Sequence, residues 1–112
     1  MRVAASVVCL LLCSALASGC KGDRDKCASA AQRFAELVYW ERANAEIAKL
    51  PAEQRDAERK RRLVEFSREL DAQLEFRISQ CVAAGNDDQA DCIIKAKTAA
   101  EALDCADVAK SN

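Results

Sequence analysis

Cysteine placement constrains this chain more than any other feature. Seven cysteines are unevenly spread, three of them by residue 20 and the others at 27, 81, 92 and 105. In a body of roughly ninety residues, below the size at which burial alone is comfortable, the later four are candidates for stapling a small core. Four cysteines allow three pairings, and helix geometry chooses among them once the helices are placed.

Hydrophobic spacing reads as helix throughout, and no stretch alternates well enough for a strand. Cys27 to Lys49 is the first predicted helix, with Cys27, Ala31, Phe34, Val38, Ala45 and Ala48 on one apolar face, and Ala30 and Leu37 beside it. Glu41 interrupts that face and reads as a rim carboxylate reaching solvent or a neighbouring arginine. Leu50-Pro51 ends the helix, because the proline ring disfavours helical geometry in the residue before it, and Pro51 suits the first turn of the next helix. Ala52 to Arg62 is highly charged, and its Arg59-Lys60-Arg61-Arg62 run, flanked by acids, reads as a solvated face. From Leu63 a second stripe follows: Leu63, Phe66, Leu70, Leu74, Ile78 and Cys81. Phe76 points off this stripe and is expected to cover the C-terminal segment, the alternative being a surface patch with Trp40.

Gly85 suits a helix C-terminus, and Asn86 to Gln89 restarts the chain as an N-cap. Thr98-Ala99-Ala100-Glu101 is a second capping-box match. It favours a break near Lys97-Thr98 and a fourth short helix with Leu103, Cys105, Ala106 and Val108, although one continuous helix from Asp87 to Ala109 is the alternative. On an unbroken helix Cys92 and Cys105 would lie about 20 Å apart, whereas a disulfide needs Cα atoms within about 7 Å. With the break, Cys92–Cys105 is feasible. A hairpin turning near Pro51 brings Cys27 and Cys81 together, so Cys27–Cys81 and Cys92–Cys105 are expected. The competing arrangement is Cys81–Cys92 with Cys27–Cys105. The expected fold is thus all-α, a small disulfide-stapled hairpin or bundle of three to four helices.

The N-terminal stretch carries Arg2, an apolar run from Val3 to Leu12 and a second from Ala15 to Ala17, then Leu16-Ala17-Ser18-Gly19-Cys20. The run is shorter than the roughly 20 residues that span a bilayer, so it reads as an export signal. Ala15-Leu16-Ala17 would also allow ordinary cleavage after Ala17. The segment from Leu16 to Cys20 resembles the lipobox of bacterial lipoproteins, in which the cysteine becomes the lipidated N-terminus. That resemblance implies a signal peptide over 1–19 and a diacylglycerol and N-acyl lipid on Cys20; the polar stretch that follows reads as a short leash over 20–25, and the helical spacing gives a helical domain over 26–112. Cysteine parity agrees: lipidation of Cys20 leaves an even set for two disulfides in an oxidising compartment. Because Lys21, not aspartate, follows the cysteine, the same resemblance implies the bacterial cell envelope, with the outer membrane favoured.

Composition narrows the function. The whole chain has a net charge of −1, and −2 without Arg2, so no strong field recruits nucleic acid. The chain contains no histidine, which removes the commonest general base, zinc ligand and nucleophile partner. No Gly-rich phosphate loop, Cys-x-x-Cys pair or acidic calcium loop occurs. Neither catalytic residues, nor a metal site, nor a cofactor beyond the lipid is therefore expected, and the chain is not expected to be an enzyme. Tyr39, Trp40, Ala43, Ile47 and Leu50 lie off the main stripe of the first helix. They either touch another helix of the bundle or form a partner-binding patch, since tryptophan and tyrosine are enriched at binding hot spots. The expectation is a membrane-anchored helical module that works by protein contact, with a partner or with itself. The alternative is a carrier of a small apolar ligand or lipid in a cavity between helices.

Overall fold

The computed structural model describes residues 22–110, with side chains described through 106. Residues 1–21, with the expected signal segment and Cys20, lie outside the described residues, as does the side chain of Val108. The described residues form four helices and no strand: α1 (Arg24–Ile47), α2 (Ala52–Ala84), α3 (Asp87–Lys95) and α4 (Ala99–Lys110). Each boundary has a local chemical cause. Asp23 caps α1, its carboxylate accepting from the backbone N–H of Asp25 and Lys26. The expected leash therefore does not extend to Asp25. Aspartate is a strong N-cap, and Gly22 is already docked, its N–H donating to the Val82 carbonyl at 3.1 Å. A Cβ at Gly22 would stand 3.3 Å from Val82 Cα, so glycine permits this close approach.

The α1–α2 turn falls at Ala48 to Pro51, with Pro51 at the N-cap position of α2 and not inside its first turn. Arg55 reaches back to the carbonyl oxygens of Leu50 and Ala48 at 3.0 and 3.1 Å, satisfying acceptors left open at the end of α1. Gly85 ends α2 in the left-handed conformation, φ 62°, with its N–H on the Cys81 and Val82 carbonyls. The Asn86 side chain accepts from Gln89 N–H and opens α3. The chain breaks between α3 and α4: Thr98 Oγ1 accepts from Glu101 N–H at 3.1 Å, and Glu101 reaches back to Lys97 N–H at 2.6 Å.

Helix α1 is the centre of the packing. It meets α2, α3 and α4, whereas α2 rests chiefly on α1. The core is built of small residues, Ala30, Ala43, Ala90, Ala96, Ala99 and Ala102, around Ile47, Phe66, Ile78 and the cysteines. Alanine faces let helix axes approach closely, and they bury little area each.

The apolar face of α1 differs from the one the spacing predicts. Ala45 and Ala48 are exposed, while Ala43 and Ile47 are each only 1% exposed. Packed helices cross at an angle, so a contact line turns about each axis instead of following one fixed stripe. Here the line facing α2 begins at Cys27, passes Tyr39 and reaches Glu46. On α2 the stripe holds from Phe66 to Cys81, but Leu63 is 53% exposed. Phe76 is 66% exposed and does not cover the C-terminal segment, whose helices rest chiefly on α1. In α4 the buried set is Ala99, Ala102 and Cys105; Leu103 and Ala106 face solvent.

Candidate functional site

Two disulfides fasten one end of the molecule. Cys27–Cys81 joins the start of α1 to the end of α2, and Cys92–Cys105 joins α3 to α4, both with Cα atoms 5.7 Å apart. Cys81 pairs with Cys27, so the competing Cys81–Cys92 link does not form. Three contacts hold the α3–α4 pair to α1. Lys26 approaches Asp91 at 3.3 Å. Arg33 donates twice to the Ala96 carbonyl at the end of α3, at 3.1 and 2.9 Å. Glu41 accepts from Ala99 N–H at the start of α4, at 3.2 Å. A cation on a helix C-terminus and a carboxylate on a helix N-terminus both complement the helix dipoles. Glu41 is thus a cap supplied from another helix and not a free rim carboxylate. The signal for it was the helix break itself, which leaves carbonyls and N–H groups that something must satisfy.

The five residues expected as a partner patch do not form one exposed surface. Ala43 and Ile47 are core, Leu50 is half-buried at the turn, and Tyr39 and Trp40 are half-buried in an aromatic cluster. Tyr39 lies 5.2 Å from Trp40 and 5.0 Å from Phe66 between ring centroids, and Trp40 lies 6.1 Å from Phe66. The Tyr39 hydroxyl donates to the Arg62 carbonyl at 2.9 Å. Burial raises its pKa, and the Glu65 charge adds to the rise. The off-stripe group is therefore the α1–α2 seam, the helix-contact alternative that the sequence left open.

Beside this seam runs a groove of about 370 Å³, open along one side, floored by Phe34, Val38, Phe66 and Leu70. Its end nearest the turn is closed by an ion-pair network. Arg62 bridges Glu46 of α1 and Glu58 of its own helix, and Arg61 binds Glu58 and Glu65. Hydrogen bonds from Arg61 and Arg62 pull the Glu58 carboxyl down to about 2, and the same bonds raise both guanidinium pKa values. At the other end Arg77 lies over the Phe34 ring, 6.0 Å from its centroid, and donates to Gln73. The basic run at 59–62 is thus largely neutralised within the chain.

Among the described residues no cluster of three or more histidine, cysteine, aspartate or glutamate side chains is placed to hold a metal. No described helix is long and apolar enough to cross a membrane. Fold and site together define a class, an all-α hairpin stapled at one end with an open groove toward the other. No family model, curated protein or solved structure matches the chain.

Proposed function

We propose that this chain is a lipid-anchored module of a bacterial cell envelope, outer membrane favoured, whose work is a protein contact made by the hairpin. The observation that carries the reading is the Gly22–Val82 hydrogen bond. Gly22 stands two residues after Cys20, so a lipid on Cys20 would hold the crosslinked end within about 7 Å of the bilayer surface. The 33 residues of α2 then reach about 50 Å outward, which presents the groove and the turn to other envelope proteins. Rigid staples at the base suit a part that must hold a fixed orientation.

Carriage of a small apolar ligand is the second reading, favoured by the groove volume of about 370 Å³, which is within the range of ligand pockets. The open side and charged rim fit a macromolecular contact better. Intact mass of the detergent-extracted protein tests the anchor. The expected product begins at Cys20 and carries diacylglycerol and an acyl chain, and Cys20→Ser moves the folded domain to the soluble fraction. A water-soluble product beginning at Ser18 would contradict it.

A further inference from the structure

We propose that the groove is an interface for a second copy of this chain, paired through Arg42 of each copy and Glu69 of the other. Its rim carries both signs, Arg42, Arg62 and Arg77 against Glu46, Glu65 and Glu69. Arg62, Glu46 and Glu65 are satisfied inside the chain. Arg42 and Glu69 have no ion-pair or side-chain hydrogen-bond partner among the described residues, and they face the same groove from opposite helices. Arg77 is turned onto the Phe34 ring and the Gln73 side chain, which leaves Arg42 and Glu69 as the rim charges without a partner, a self-complementary pair as a twofold interface requires. An acidic or basic partner would satisfy one of the two and oppose the other.

Height along the hairpin makes the pairing specific. Cys27–Cys81, Tyr39–Phe66 and Glu46–Arg62 set the antiparallel register of α1 and α2. That register sets Arg42 opposite residues 63–66, so Glu69 stands about 5–9 Å nearer the crosslinked end, a gap the two long side chains can span. Two chains tethered to one bilayer by the same end both stand base-down, so their twofold axis runs along the membrane normal. Facing grooves then set α1 of one copy against α2 of the other at equal heights. Each Arg42 meets the other copy's Glu69, and the half-buried floor residues Phe34, Val38 and Leu70 of each copy close over one another as a four-helix bundle. This geometry rests on the tether proposed above, and confinement to a membrane raises the effective concentration of the copies.

The test uses charge reversal in the full chain, with sedimentation in mild detergent as the readout. Wild type is expected to be a dimer. Arg42→Glu places glutamates at both contacts of its own dimer, and Glu69→Arg places arginines there. Each variant alone is expected to lose dimer affinity on the order of a hundredfold while keeping its helical circular dichroism. Mixed one to one, the two variants restore both pairs and form a heterodimer, an outcome that no contact within one chain produces. The heterodimer is read the same way whether or not Cys20 carries lipid, so failure of the anchor and failure of the interface remain distinct. A monomeric wild type, single variants that stay dimeric, or a mixture that stays monomeric would overturn the proposal. So would a monomer extracted with one non-covalently held lipid per chain beyond any lipid on Cys20, which would assign the groove to a carrier.

Discussion

The two ends of the hairpin are held by different physics. At the base the connections are covalent, and the packed residues are mostly alanine and half-cystine. Toward the turn no crosslink occurs among the described residues. There Ile47, the Tyr39–Phe66 contact and the Glu46–Arg62–Glu58 network hold α1 to α2. The contrast shows where small-residue packing suffices. Alanine brings helices close but removes little apolar area from water, about 25 cal/mol per Å² being gained for what is removed. The alanine-rich base has covalent loops to add stability, and the turn end depends on larger side chains and charge.

Breaking the base has the largest expected effect. The Cys27–Cys81 link closes a separation of 54 residues and Cys92–Cys105 one of 13. In the loop-entropy model these are worth about 4 and about 3 kcal/mol. Replacing Cys27 and Cys81 together by alanine should lower unfolding stability by about the larger figure, measured by urea titration under oxidising conditions. At the turn end the comparable change is Ile47→Ala, which should cost about 3 kcal/mol by leaving a cavity. An interface residue exposed in the monomer would cost almost nothing, so this one titration separates core from patch.

A smaller effect is expected where charge joins the two halves. Glu41→Ala removes the cap on α4 and Arg33→Ala the donor on Ala96. Each should cost about 1 kcal/mol and speed amide exchange in α4 and at the end of α3, with α2 unchanged. The smallest effect sharpens the contrast through pH. Glu58 is held at about 2 in the folded chain, against an ordinary 4.5. A depressed carboxylate stabilises the fold above its unfolded pKa, and that contribution is lost as pH falls from about 4.5 through about 2. Acid titration of wild type should therefore lose stability across that window, and Glu58→Gln should flatten the slope there. An equal slope in the two proteins would remove Glu58 from the turn-end network.

Much of this architecture is legible in the sequence because its punctuation is local. Pro51, Gly85, Asn86 and Thr98 mark the helix ends through their own backbone and capping chemistry, and the disulfide pairing follows once those ends are known. The face of α1 was not legible, because it depends on the crossing angle with α2 and on where α3 and α4 come to rest. Ala45 was indistinguishable from Ala43 by type, and only packing exposes one and buries the other. The same gap hid the roles of Arg33 and Glu41, whose partners are backbone groups 63 and 58 residues away. Asp23 was legible as a cap and was hidden only by reading the polar stretch before Cys27 as leash.

The most direct test of the two-ended organisation is hydrogen exchange in the Cys92→Ala, Cys105→Ala double variant against wild type. Helices α3 and α4 have 9 and 12 residues, too short to hold alone in water. If the staple secures the base independently of the turn, amides across 88–105 should exchange on the order of a hundredfold faster, while those across 43–66 keep wild-type protection. Equal loss of protection in both segments would contradict a molecule whose two ends are held by separate means.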